Sequence, residues 1–446
     1  METIINLFNL LLKYIKPCHS ANKLMNSFGT IIRFNIIWII YWLVYLLQPV
    51  QSVYASVKKA WLLQLVFVIS LSISYVIGLS LKTPKKIFQI AHQKKNKKNL
   101  TSNIIGLGLW LSILGFCFLL YDKVFIQNID YSHGLAFARQ QWLDKSEARG
   151  ENISSPFSLL GYLFGGGFFL SLMLTLSKKE SLSENKRAIF FILSCALLFA
   201  NCIITGGRSS ILLAVSLVSF GFFYPNQNNQ KKQWNIKNYK TVLALFFLFS
   251  LCYILYIFYL RAAGTNVNIA TYSQNFLSYL GLVSKTWFSK IVFSWKIGEF
   301  LAVINLAIAY LTHSLSTFAG IIEHGRSSGD SIFGLWLTIG AKLGVTRSAA
   351  DWFLSGRFPS LPGAIFMQWG FLGLVFSAGI LGISAGFLNK MFNQIQSSVL
   401  LFFSCGIAEC ILLLSPFLFA GDFLFFPSMA IGGIFTILTC KCFKKK

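Results

Sequence analysis

Carboxylates are what this chain has least of. Its 446 residues include 14 Asp and Glu against 39 Lys and Arg. Charged residues make up only 12% of the chain, about half the fraction of an ordinary soluble protein. No P-loop, no HExxH helix and no Asp-x-Asp pair occurs. The first absence argues against an ATP-driven pump. The last argues against metal-dependent transfer from a nucleotide sugar. The nine cysteines form no CxxC pair and no zinc-ligand spacing. Most of them, such as Cys117, Cys202 and Cys405, lie inside apolar runs and read as small hydrophobes. There is no internal repeat, low-complexity tract or flexible linker. A secondary transporter often shows inverted repeats or matched broken helices, and neither pattern is seen.

What the chain has instead is hydrocarbon. It is 55% hydrophobic, with 45 Phe and 11 Trp. Apolar runs recur at lengths approaching the roughly 20 residues that cross a bilayer as helix. The fold class expected is an all-α polytopic membrane protein forming one integral domain over 1–446. Ten spans are placed near 29–49, 60–80, 103–121, 156–176, 188–205, 209–225, 241–260, 363–388, 397–416 and 424–440. No cleavable signal peptide is evident, and the segment carrying Lys13 and Lys16 is expected to form an interfacial helix.

Charge fixes the expected orientation. The loops KTPKKIFQIAHQKKNKKN, KKESLSENKR and NQNNQKKQWNIKNYK and the tail KCFKKK fall on one face of a ten-span model. The positive-inside rule makes that face cytoplasmic, with both termini inside. The charge of +25 is thereby explained without a nucleic-acid partner. Two outer segments are long, a first loop over 122–156 and a large one over 261–362. The large loop contains FLAVINLAIAYL at 300–311, which Thr312 and His313 interrupt. It is expected to be a re-entrant or membrane-lying helix rather than an eleventh span.

Arginines at the outer ends of spans are the candidate chemistry. Arg208 lies in TGGRSS between two apolar runs, where a charge is expensive without a partner or a task. It either snorkels to headgroups or holds an anion. Gly206 and Gly207 permit a tight turn, and Ser209 opens the next helix with free backbone N–H groups. Arg261 in YLRAAGTN and Arg357 in SGRFPSLPG occupy matching positions. Three arginines on one face suit the forked recognition of phosphate oxygens. They are expected to converge on one diphosphate site. The loop also holds Glu323, His324 and Arg326 in IIEHGRSSGD. Glu323 or His324 is the candidate acid–base group, preferred to His313 because its surroundings are polar; both also fit an ordinary wet loop. Glu409, inside the ninth span, should face the interior and pair with a buried base.

GGRSS at a helix hairpin, a large late outer loop, and SLPGAIFMQWGFLGLVFSAGILG after it resemble bacterial Wzy-type O-antigen or oligosaccharide repeat-unit polymerases. The resemblance implies a metal-independent, glycosyltransferase-C-like membrane enzyme of the bacterial inner membrane, without cofactor. Its donor and acceptor would be undecaprenyl-diphosphate-linked glycans, its active site would face the periplasm, and a chain-length regulator protein would be a partner. Inversion at the anomeric carbon is what the family suggests. Arg208, Arg261 and Arg357 would bind and stabilise the diphosphate, with Ser209 and Arg326 beside them. The related O-antigen ligases carry a histidine shortly before the helix that follows the loop, where this chain has RFPSLPG. Polymerase is therefore favoured over ligase. A ligase acting on lipid A core and a lipid-linked oligosaccharide exporter are the alternatives.

Overall fold

The computed structural model describes residues 21–83, 98–148, 155–177, 182–223, 236–264, 267–294, 297–325, 330–342, 344–347, 357–395, 398–422 and 425–443. The expected interfacial helix at the N-terminus and most of the lysine-rich loops lie outside them.

The chain is a bundle of helices whose ends define two faces. Helix α1 (Ala21–Leu47) rises to a short strand β1 (Val50–Ser52), and α2 (Val57–Ser80) returns. Helix α3 (Lys98–Tyr121) ends in a π-helical turn over Asp122–Ile126, and α4 (Leu135–Ala148) follows it. Next come α5 (Pro156–Gly165) and α6 (Gly167–Ser177), together one crossing, then α7 (Glu184–Thr205), α8 (Ser209–Phe223) and α9 (Ile236–Ala263). After α10 (Ile269–Tyr279), β2 (Leu282–Ser284), α11 (Thr286–Ser294), α12 (Gly298–His324) and α13 (Gly334–Lys342), the last passes are α14 (Leu361–Ile395), α15 (Val399–Leu414) and α16 (Phe425–Phe443). The face where α1 ends is here called the arginine face. The opposite face receives the ends joined by the lysine-rich loops.

Among the described residues nine helices are long and apolar enough to cross a membrane. Eight of them coincide with expected spans. The other two expected spans are the shorter apolar helices α8 and α15. This is an all-α polytopic membrane protein. Its helices show apolar side chains to the lipid, including Leu46, Trp110, Leu372 and Phe376. Its interior is closely packed. A Cβ on Gly382 or Gly386 would stand 2.5 Å from the Leu71 carbonyl oxygen or 2.2 Å from that of Tyr75. Small residues therefore let α14 lie directly on the α2 backbone, as membrane helices without a hydrophobic drive require.

The ninth long helix is α12, and here one expectation needs correction. The apolar piece does not stop at Thr312. The helix runs for 27 residues, and the first outer loop is likewise largely helical, as the π turn and α4. Thr312, His313, Ser314, Ser316 and Thr317 continue α12 because they are buried inside the protein rather than exposed to lipid. Thr312 donates to Gln48 Oε1 (2.5 Å) and Ser314 to the Pro416 carbonyl (2.6 Å). Ser316 donates to the Gly281 carbonyl (2.7 Å). Every one of these partners belongs to the arginine face. So do Ser56 and Tyr54, which meet Glu323 and His324 at the helix end. By length α12 would span. By its partners it lies across the arginine face of the bundle, capping it. Helix α9 ends at that face and α14 begins there. Between His324 and Leu361 the longest described helix has nine residues, too short to bring the chain back.

Strands β1 and β2 pair antiparallel, with Gln51 opposite Val283. They tie the α1–α2 connection to the segment beneath α12. At the other depth of the bundle Arg33 on α1 grips Glu409 on α15 with two forked bonds, Nε to Oε1 at 2.6 Å and Nη2 to Oε2 at 2.7 Å. Thr30 donates to the same carboxylate (2.8 Å), and Asn389 links Thr30 to the Tyr75 hydroxyl. Glu409 thus has the base its sequence position called for, in the half-buried Arg33.

Candidate anion site

The site is built where α7 turns into α8. Gly206 caps α7 with φ at +58°, a conformation that side chains with a Cβ rarely adopt. That left-handed step turns the chain so that Arg208, just before α8, points inward. The residue is 7% exposed. It is sandwiched by aromatic faces, with Cζ 4.0 Å from the Phe258 ring centre and 4.3 Å from that of Tyr310. Phe258 comes from α9 and Tyr310 from α12, so the cation is held by the helix that caps the bundle.

Two further arginines reach the same place. Arg261 arrives from the last turn of α9. Arg139 arrives from α4 and donates through Nη1 to the Gly206 carbonyl at 2.8 Å. All three guanidiniums lie within electrostatic reach of Tyr272, from α10. Burial raises the pKa of that phenol, and Arg261, Arg208 and Arg139 pull it back. Burial pushes Arg139 below the usual arginine range, and Arg208 beside it pushes further. Arg208 is likewise lowered, by burial first, with Tyr310 and Tyr272 opposing.

The cluster holds cations without counter-charge. Among the described residues the ion pairs are Arg33–Glu409, Arg347–Asp330 and His133–Asp130, none of them here. Arg208 Nη1 and Arg261 Nε are buried with no hydrogen-bond acceptor, and the Tyr253 hydroxyl is buried without a partner. Three confined positive charges repel one another, and a buried donor without an acceptor costs about 1–3 kcal/mol. The arrangement suits an anion with several oxygens, which satisfies the forks and offsets the charge.

Of the arginines expected to converge, Arg208 and Arg261 do so. Arg357 keeps other company. Its Nη1 donates to the Tyr54 hydroxyl (2.9 Å), and its Cζ lies 5.4 Å from the Tyr279 ring centre. Between the two groups stands His313, within electrostatic reach of both Arg357 and Arg208. Its Nδ1–H donates to the Tyr310 carbonyl (2.6 Å) and its Nε2 accepts the Phe358 N–H (3.2 Å). The second bond requires the neutral ring with the proton on Nδ1. His313 thereby fastens the Arg357 segment to α12. The two preferred acid–base candidates sit outside this core. Glu323 is exposed and accepts the Ser56 N–H (2.6 Å). His324, also exposed, donates to the Gly320 carbonyl and stands edge-on to Tyr54. Ser209 opens α8 beside Arg208, and Arg326 lies outside the described residues.

Arg139 escaped the sequence reading, as did the tyrosines. The available signal was LAFARQQWLDKSEA, a stretch of helix length without Gly or Pro. Its mixed charge made it look like solvated loop. No protein-family model, curated protein or solved structure matches the chain. What fold and site define together is a class: a polytopic helical membrane protein with a buried cluster of three arginines under a capping helix at one face.

Proposed function

We propose that this protein is a membrane glycosyltransferase that polymerises lipid-diphosphate-linked oligosaccharide repeat units, in the manner of the Wzy-type polymerases it resembles. The observation that carries the reading is the convergence of Arg139, Arg208 and Arg261 with no carboxylate paired to them among the described residues. A glycan joined to undecaprenyl diphosphate presents such a polyanion at the membrane surface. Under the positive-inside rule the lysine-rich face is cytoplasmic and the arginine face periplasmic, in a bacterial inner membrane. The fold belongs, on this reading, with the glycosyltransferase-C-like enzymes.

The chemistry asked of the site is modest. A hydroxyl of the incoming lipid-linked unit attacks the anomeric carbon of the growing chain. The new C–O bond forms as the bond from that carbon to the diphosphate breaks, and the departing diphosphate is able to take up the hydroxyl proton. Negative charge grows on the leaving oxygen, and guanidiniums fixed in advance stabilise it where water is excluded. Arg139, Arg208 and Arg261 hold the diphosphate, the tyrosines orient it, and His313 positions the Arg357 segment at the edge.

The test is incubation of purified protein in detergent with a defined lipid-linked repeat unit, read as a glycan ladder. Lengthening supports the polymerase. Transfer only after lipid A core is added identifies a ligase, and movement of substrate across sealed vesicles without lengthening identifies an exporter.

A further inference from the structure

A second feature of the arginine face lies on its lipid side and owes nothing to the arginine cluster. Between α1 and α2 runs an apolar cleft of about 440 Å³, within the range of sites that hold small ligands. Trp42, Tyr45 and Leu46 form one wall, Trp61 and Leu62 the other, and Leu315 of α12 contributes to the lining. Lys58 stands among the lining residues at the start of α2. The two tryptophans are a tilted pair, with centroids 5.5 Å apart. The Trp42 N–H is spent on Gln64 Oε1 (3.0 Å), so this wall offers hydrocarbon. Leu46 and Leu62, both strongly exposed, face the bilayer and leave the cleft open to it.

We propose that this cleft takes one acyl chain of an anionic bilayer phospholipid, whose phosphate is bound by Lys58 and its neighbour Lys59. Two facts select that occupant over a neutral lipid. Lys58 and Lys59 are exposed in the first turn of α2, and that turn contains no acidic residue. The nearby carboxylate, Glu323, is engaged by the Ser56 N–H. The depth also fits, because Trp and Tyr gather where headgroups meet hydrocarbon. Leu315 gives the site a consequence. It lies between Ser314 and Ser316, both hydrogen-bonded into the capping seam, and two residues from His313. Leu315 is itself fully buried, so a chain filling the cleft in front of it backs the packing of the capping helix against α1 and α2.

The cleft's own tryptophans report the occupant. Protein is reconstituted in phosphatidylcholine vesicles containing phosphatidylglycerol, with bromine on the acyl chains of one lipid or the other. The signal of Trp42 and Trp61 is the difference from the Trp42→Phe/Trp61→Phe variant. Brominated phosphatidylglycerol should quench that signal more strongly than brominated phosphatidylcholine. Each lysine contributes roughly a fivefold preference, so Lys58→Gln/Lys59→Gln should abolish most of it. Those lysines are exposed, so the variant stays folded. Equal quenching by the two lipids overturns the proposal, and so does a preference that survives loss of both lysines. Relief of quenching by a single-chain polyprenyl phosphate, but not by unbrominated phosphatidylglycerol, also overturns it by naming a different occupant.

Discussion

Arg33 and Arg208 are both arginines inside a membrane bundle, and their surroundings are opposites. Arg33 is answered in full. One carboxylate takes its fork, and Thr30, Asn389 and Tyr75 complete the network. Arg208 meets two aromatic faces, two other arginines and no carboxylate, and one of its nitrogens has no acceptor. The first arrangement is closed and joins α1, α2, α14 and α15. The second is open and unfavourable by itself. Sites that bind or transform ligands commonly carry such a cost, which the remainder of the fold offsets. The contrast separates a cation whose charge is answered inside the bundle from one with a donor left unanswered.

The contrast breaks most visibly at the closed pair. Glu409→Ala leaves the half-buried Arg33 without its carboxylate, and should lose about 2–4 kcal/mol of stability. Replacing both partners by Met and Leu should recover most of that loss. Thermal unfolding in lipid nanodiscs measures both, and a parent-like melt of Glu409→Ala would remove the distinction. At the open site the expectation reverses. Arg208→Lys should lower turnover of lipid-linked donor by about 10²–10³-fold, because an ammonium lacks the fork. Arg208→Met should melt at or above the parent temperature, because it relieves repulsion while keeping apolar contact. Lower melting of the Met variant would show that Arg208 is structural after all.

Smaller effects sharpen the same line. Gly281 has φ at +73°, and a Cβ there would stand 2.8 Å from the Tyr54 ring and 3.3 Å from Arg357 Nη1. Gly281→Ala should cost about 1–3 kcal/mol, read as a lower melting temperature. It should also reduce turnover through Arg357 while leaving anion binding at Arg208 intact. The least effect belongs to His324→Ala. An exposed ring at a helix end should change stability by no more than about 0.5 kcal/mol and leave turnover near the parent value. His313→Ala, which strands the Phe358 N–H, should cost about 1–3 kcal/mol. Equal effects at the two histidines would undo the placement of His313 at the core of the site.

Hydropathy made the crossings legible, because lipid requires a long apolar run and the run is local in sequence. Arg208 and Arg261 were legible for a related reason, since each interrupts or ends such a run. Contacts between distant segments were not. Val50 and Ser284 pair across more than two hundred residues on three-residue strands, too short to show a period. Glu409 announced that it needed a base, and nothing local named Arg33. Arg139 was hidden among charges of both signs, and Tyr272 and Tyr310 were lost among the aromatics of a lipid-facing protein. Helix α12 was cut short at Thr312 because polar residues usually close an apolar run. They do not when the protein buries them, as it does here, with partners for Thr312, His313, Ser314 and Ser316.

That run of polar side chains also bears on how the protein is made. A 27-residue apolar helix emerging during synthesis is a candidate for release into the bilayer, and its release would reverse every later crossing. Thr312, His313, Ser314, Ser316 and Thr317 crowd its middle, and each polar side chain placed there weakens its partition into hydrocarbon. The same groups that later bond to Gln48, Gly281 and Pro416 therefore keep the helix out of the lipid until those partners exist. One short stretch of Ser, Thr and His thus acts twice, first as a topogenic brake and then as the seam of the finished cap.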